Sequence, residues 1–242
     1  MEIYGKYFAL IYNEKWAFWG PKMWPFLFQK VKKLLPSARN WLDLCCGTGS
    51  LLKFICKHRF KATGLDISKY QLYFARQNAP KASFVRQDIK ILSLPNKYDV
   101  ITCMFDSLNY LIKKQDLLKV FKRIRRQMVD NGSFIFDMNT FQGLMDQWHR
   151  TSATHERGYT LIVETSFDHK KALGLCQITG FVKKGGFYKR FQEKHYERGY
   201  KPKEIEGMLT IAGFSFKKYD GYKLNRANKK SGRLLYICIV KN

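Results

Sequence analysis

The chain reads as an α/β protein, a doubly wound parallel sheet followed by an antiparallel β insertion. Three observations predict this. Short apolar runs alternate with amphipathic stretches between residues 41 and 137. Those runs lack a strict polar–apolar alternation, as strands covered on both faces do. Residues 151–198 then change to longer runs broken by polar, glycine-bearing gaps, the pattern of hairpins. A length of 242 residues suits one domain carrying such an insertion.

Element by element, Trp24, Leu27, Phe28, Val31, Leu34 and Leu35 form a helical stripe over 22–35, ended by Pro36. Trp41–Cys45 is the first strand. It runs into Gly47-Thr48-Gly49 and a helix reaching about His58. Lys61–Leu65 is the second strand, ending at Asp66, and Ser68 caps the next helix with Leu72, Ala75 and Ala79 inward. Ala82–Arg86 and Tyr98–Phe105 are strands three and four. A helix starts at Asp116 with Leu117, Phe121, Ile124 and Met128 inward. Asp130-Asn131-Gly132 reads as a turn before a fifth strand, Ser133–Asp137. Tyr159–Phe167, Gly174–Val182 and Phe187–Tyr196 are the strands of the insertion. A helix over Pro202–Ala212, closed by Gly213, leads to two last strands, Phe214–Tyr219 and Leu234–Val240. The organisation expected is an N-terminal aromatic and helical cap (1–36), a ligand-binding core (37–140), the β insertion (141–200) and a C-terminal completion of the core (201–242).

Forty-four Lys and Arg against nineteen Asp and Glu leave a formal charge of +25, spread along the chain. A spread excess favours encounter with polyanions such as RNA, and is equally accounted for by solvated lysine-rich faces. No apolar run approaches the roughly 18 residues that span a bilayer, and the N-terminus has no signal-peptide core. The expected location is therefore cytoplasmic, with no membrane partner. Six Cys without a CxxC pair make neither a disulfide scaffold nor a metal site.

The acids are the informative residues. No Glu occurs between Glu14 and Glu156, and the Asp residues of that stretch mostly fall beside short apolar runs. The turn Gly47-Thr48-Gly49 lies where doubly wound folds bind nucleotides. It is neither G-x-G-x-x-G nor a P-loop, because residue 52 is Leu52 and no Lys-Ser/Thr follows the glycines. Asp43, inside the preceding strand, would repel a pyrophosphate and attract an amine or a sulfonium. Asp66 ends the second strand, where an acid accepts from both ribose hydroxyls. Asp88 ends the third, placed to accept from an adenine amine. Three acids at neighbouring strand tips would line one crevice.

These residues resemble the class I S-adenosylmethionine-dependent methyltransferases over about residues 35–140. The likeness rests on Leu42-Asp43-Leu44-Cys45-Cys46-Gly47-Thr48-Gly49, Gly64-Leu65-Asp66-Ile67-Ser68, Gln87-Asp88-Ile89, and Tyr98 through Tyr110 with Phe105-Asp106-Ser107-Leu108-Asn109-Tyr110. The resemblance implies a seven-stranded Rossmann-like sheet with its last strand antiparallel. It also implies S-adenosyl-L-methionine as methyl donor, with S-adenosyl-L-homocysteine as product. It places Asp43, Cys45, Gly47, Thr48 and Gly49 around the methionine part. Asp66 would hold the ribose, with Ile67 on the adenine and Asp88 and Ile89 at its edge. Met104, Phe105 and Asp106 would lie beside the sulfur.

More narrowly, the sequence is similar to small-molecule N- or O-methyltransferases, including amino-sugar and glycine/sarcosine-type enzymes. These often close the pocket with an aromatic N-terminal segment, here Tyr4, Tyr7, Tyr12, Trp16 and Trp19. For the acceptor side the expected residues are Tyr12, Trp16, Asn139, Tyr196 and Arg198, with Asp106, His149 or His155 as base. His195 and Asp137 are further candidates. No Asn/Asp/Ser-Pro-Pro-Tyr/Phe or Pro-Cys motif of base methylation is present. The expected partner is a small-molecule acceptor, with RNA as the alternative, and the protein a monomer or homodimer. A binding module without turnover is the remaining reading. No metal is expected.

Overall fold

The computed structural model describes residues 3–240; residues 1, 2, 241 and 242, at the ends of the expected cap and C-terminal segment, lie outside them. The elements in chain order are α1 (Lys6–Lys15), α2 (Trp19–Leu34), β1 (Asn40–Leu44), α3 (Ser50–Lys57), β2 (Lys61–Asp66), α4 (Lys69–Asn78), β3 (Ser83–Arg86), β4 (Tyr98–Cys103), α5 (Lys114–Gln127), β5 (Met128–Asn139), α6 (Phe141–Gln147), β6 (Thr151–Glu156), β7 (Tyr159–Asp168), β8 (Leu173–Lys184), β9 (Phe187–Arg198), α7 (Pro202–Ile211), β10 (Phe214–Asp220) and β11 (Arg233–Val240).

Seven strands form one sheet in the order β10-β11-β5-β4-β1-β2-β3, and β6 to β9 form a second, four-stranded one. The pairings within β3-β2-β1-β4-β5 are parallel, and β11 is antiparallel to both of its neighbours. Both faces of the central strands β1, β4, β5 and β11 are covered, which explains their largely apolar sequences. Leu42, Leu44, Ile101, Leu234 and Tyr236 pack under α5 and α7. Trp41, Val100, Leu235 and Ile237, one residue out of phase, pack under α2, α3 and α4. Asp43 and Thr102 belong to this second face by alternation. The small sheet buries one face only, where Tyr159, Leu161, Ile178 and Val182 meet Phe8 and Ile11 of α1.

Several sequence expectations are corrected. The helix expected from residue 22 begins at Trp19, because Pro21 stands in the first turn, where a missing N–H costs nothing. Asp130-Asn131-Gly132 is no turn between elements but a bulge inside β5. The register with β4 jumps from Tyr98↔Met128 to Val100↔Ser133. β6 and α6 were not expected. β6 is almost wholly exposed, so it has no apolar signature. α6 is only seven residues long, though Thr140 accepts from Gly143 N at 3.0 Å as its cap. Ser68 caps α4 as expected, accepting from Gln71 N at 3.2 Å, and Gly213 takes the left-handed φ of +86° beyond α7.

A cavity at the strand tips

The carboxyl ends of β1, β2, β3 and β4 open into one cavity, about 940 Å³ counting its solvent-open mouth. Cys45, Gly47, Asp66, Ile67, Asp88 and Ile89 line it together with Tyr4, Tyr12, Phe105 and Tyr110. A smaller recess beside it is lined by Asp43, Gly47, Thr48, Trp16, Trp19, Met104 and Phe105. Cofactor-side residues expected from distant parts of the sequence therefore meet in one place. Gly49 is the exception: it lines neither cavity and forms the turn behind them.

The turn after β1 is built from left-handed residues: Cys45 (φ +52°), Gly47 (φ +54°) and Gly49 (φ +75°). Glycine makes two of these conformations free of steric cost. Gly47 N–H donates to Asp66 Oδ2 at 2.9 Å, and Ser68 N–H to Oδ1 at 2.8 Å, so the β2 acid locks the turn. Burial raises the Asp66 pKa, and these backbone donors oppose the rise. Asp43 is 3% exposed and accepts from Thr102 Oγ1 at 2.6 Å. Burial pushes its pKa up to about 7, with the Thr102 hydroxyl holding it down. Asp88 caps the 3-10 turn Ile89–Ile91, accepting from Lys90 N at 2.8 Å.

Phe105 (φ +63°) and Asp106 (φ +52°) follow β4 as two consecutive left-handed residues without being glycine. Such backbone costs on the order of 1–2 kcal/mol per residue. A buried charge cluster holds it. Asp137 Oδ1 accepts from Phe105 N at 2.6 Å. Arg233, 4% exposed, pairs with both Asp106 and Asp137 and lies against the rings of Trp19, Phe105 and Tyr222. Burial works against the guanidinium charge, but the two Asp residues hold its pKa above the ordinary value. Asn139 Nδ2 donates to Asp106 at 2.7 Å and to Glu197 at 3.1 Å. Burial, then the Asp106 charge, pushes Glu197 well above the usual carboxylate range.

The acceptor-side expectations divide. Tyr12 lines both cavities and Trp16 the smaller one, and Asn139 sits in the charge cluster. His149 and His155 are exposed and line neither cavity. His155 is on the exposed strand β6, its ring bonded to Thr160 at 2.7 Å. Tyr196 is 44% exposed and the Arg198 guanidinium lies over the Tyr200 ring, so neither lines the cavities. Strand parity decides this: on β9 the buried residues are Glu193, His195 and Glu197, and their neighbours face outward. Of the β9 candidates, His195 lies on the inward face, and Tyr196 and Arg198 are one residue out of step with it.

Residues the sequence reading missed include Gln71, Glu193, Glu197 and Arg233. Gln71 is 1% exposed and lines the cavity with its Oε1 unpartnered. Its signal was its position three residues after the capping Ser68. The signal for Arg233 was a cation heading the apolar run Leu234–Val240.

A model described as a methyltransferase domain matches residues 42–132. The crystal structure of an S-adenosylmethionine-dependent methyltransferase from Clostridium acetobutylicum ATCC 824 superposes with a TM-score of 0.85 at 30% identity, covering 97% of this chain and 98% of that one. YqeM of Bacillus subtilis (strain 168), a protein named for an inferred methyltransferase activity, is 28% identical over 212 residues, 86% of this chain and 85% of its own. The dTDP-3-amino-3,4,6-trideoxy-alpha-D-glucopyranose N,N-dimethyltransferase of Streptomyces venezuelae is 24% identical over 86% of this chain and 85% of its own length.

Proposed function

The chain belongs to the class I S-adenosylmethionine-dependent methyltransferases, and on that premise we propose that it methylates nitrogen or oxygen of a small molecule. When bound, S-adenosylmethionine supplies a methyl carbon already activated by a positively charged sulfur.

The residues present fit that donor. Asp43 is poised near neutrality in the recess, where a positive neighbour would favour its ionised form. The unpartnered Gln71 Oε1 offers an acceptor to a ligand donor. In this reading Asp43, Cys45, Gly47, Thr48 and Gly49 hold the methionine part and Asp66 the ribose. Ile67, Asp88 and Ile89 hold the adenine, and Met104 and Phe105 flank the sulfur. The chain's work is then alignment, which contributes up to roughly 7–11 kcal/mol to such reactions.

The observation that carries the small-molecule reading is the wall opposite those residues. It is made of Tyr4, Tyr12 and Tyr110, backed by the carboxyl groups of Asp106, Asp137, Glu193 and Glu197. The one buried guanidinium there, Arg233, is already paired twice. That wall offers no unpaired guanidinium to a phosphate and presents phenol hydroxyls that can accept from an amine. Similarity to an amino-sugar N,N-dimethyltransferase supports the same acceptor class. Asp106 and Asn139, behind the cavity lining, are the residues we assign to hold the acceptor-side wall, with Tyr12 and Trp16 closing the pocket.

The test is transfer of a labelled methyl group from S-adenosylmethionine into a protein-free metabolite fraction and, separately, into RNA. Label in the metabolites is expected. Label in RNA alone, or tight cofactor binding with no transfer to either fraction, overturns the reading.

A further inference from the structure

A chain of hydrogen bonds runs from the cavity into the insertion. Tyr4 Oη lies 2.9 Å from Tyr110 Oη, and Tyr110 Oη lies 3.0 Å from His195 Nδ1. His195 Nε2 lies 3.1 Å from Glu193 Oε2, with both side chains buried. Nε2 has no hydrogen-bond partner there, so beside the neutral ring Glu193 acts only as a nearby negative charge. Tyr4 and Tyr110 both line the cavity. The chain therefore starts where an acceptor would sit and ends on a buried imidazole.

Its polarity follows from what each group can do. A carboxylate only accepts, so Glu193 favours the N–H of the imidazole on Nε2 and leaves the Nδ1 lone pair to Tyr110. Tyr110 then donates to His195 and accepts from Tyr4. The remaining lone pair of Tyr4 is left for a donor in the cavity. Burial raises the pKa of both phenols well above the ordinary value, so neither is a base by itself. They can only pass a proton on.

Resting on the small-molecule reading, we propose that Tyr4, Tyr110 and His195 form a proton path that deprotonates the acceptor. The acceptor's N–H or O–H bond breaks and its proton passes to Tyr4 Oη. The Tyr4 proton passes to Tyr110, and the Tyr110 proton to His195 Nδ1. One proton leaves the acceptor and one arrives on the imidazole, while the electron pair stays on the acceptor atom that takes the methyl group. The imidazolium formed is held against Glu193. Tyr4 is the catalytic residue of this path; Tyr110 and His195 relay, and Glu193 positions.

The path exists only with the N-terminal segment in place. Glu193 accepts from Tyr4 N at 2.7 Å and from Gly5 N at 2.8 Å, and Ser68 Oγ donates to Tyr4 O at 2.8 Å. These bonds hold Tyr4 at φ +55°, a conformation that persists only when its surroundings impose it. Around His195 stand Glu193 and Glu197 from β9 and Cys176 opposite it on β8. Tyr110 faces it from the turn that Asp106 opens, and Tyr4 and Phe8 face it from the N-terminal side.

Tyr4→Phe separates a path from a mere latch, because it keeps the backbone bonds and the ring and removes only the hydroxyl. The first readout needs no acceptor. In the full chain with S-adenosylmethionine, ¹⁵N spectra of His195 should show Nε2 protonated and Nδ1 accepting a hydrogen bond that Tyr110→Phe removes. A proton on Nδ1 overturns the path. The second readout is the rate of labelled methyl transfer into the metabolite fraction between about pH 6 and 9. Wild-type activity should depend on pH through the imidazole that ends the path and through Asp43, whose pKa is pushed up to about 7. Tyr4→Phe should lower kcat about a hundredfold, remove the first dependence while keeping the second, and leave cofactor affinity unchanged. A Tyr4→Phe enzyme with the wild-type rate and profile overturns the proposal. If the wild type labels RNA alone, the small-molecule reading fails by itself, and the same Tyr4→Phe comparison on RNA decides the path.

Discussion

Asp43→Asn should remove much of the loss of stability that the ligand-free protein suffers as pH rises. The Asp43 carboxyl ionises at about 7 in the folded chain against an ordinary 3.8. Between those values the folded state holds a proton that the unfolded state has released, so stability falls with increasing pH. At ~1.4 kcal/mol per pH unit over about 3 units, the loss has an upper limit of ~4 kcal/mol, and about 2–4 after relaxation of the site. Asn keeps the acceptor that Thr102 uses but buries an amide N–H₂, a pH-independent cost of about 1–3 kcal/mol. The variant should therefore be the less stable protein near pH 5 and equal or superior to wild type near pH 8. Urea unfolding followed by circular dichroism at the two pH values reads this directly. Burial also raises Asp66 and Asp137; Asp137 tilts both curves alike, and Asp66, whose charge adds to the Asp43 shift, is relieved in the variant and enlarges the difference. Parallel pH dependences for the two proteins would refute the reasoning.

Two further substitutions probe the site and its support. Asp66→Ala removes the acceptor of Gly47 and Ser68 N–H. It also removes the acid assigned to the ribose; at about 1.5–3 kcal/mol for a hydroxyl bonded to a charged group, cofactor binding by calorimetry should weaken at least about tenfold, and unchanged affinity would refute the ribose assignment. Gly143→Ala would place a Cβ 1.8 Å from the Gly232 carbonyl oxygen, so α6 must leave the loop before β11; a drop of about 3 kcal/mol or more in unfolding free energy is expected, and a fully stable variant would contradict that contact.

The architecture was legible because it rests on local signals. Apolar runs without alternation marked strands buried on both faces, Ser68 and Gly213 marked helix ends, and the glycine turn with Asp43, Asp66 and Asp88 marked the strand tips. Each is a short-range pattern whose meaning does not depend on what packs beside it. What failed was either silent or ambiguous locally. β6 is exposed and carries no apolar pattern. The bulge at 130–132 has the composition of a turn, and only pairing with β4 shows that the strand continues through it.

On the acceptor side Tyr12, Trp16, Asp106, Asn139 and His195 stood out in the sequence, but their partners were decided by the tertiary structure. On β9 Tyr196 and Arg198 were singled out beside His195, whereas Glu193, His195 and Glu197 face inward, because one residue of phase exchanges the faces of a strand. Asp106 was recognised from its motif, but its partner Arg233 lies 127 positions away, and Tyr4 meets Glu193 across 189. Cofactor contacts come from consecutive strand tips of one sheet, so their spacing is written along the chain. The polar wall opposite is assembled from the N-terminal segment, the insertion and the last strand, whose meeting is a property of packing and not of spacing.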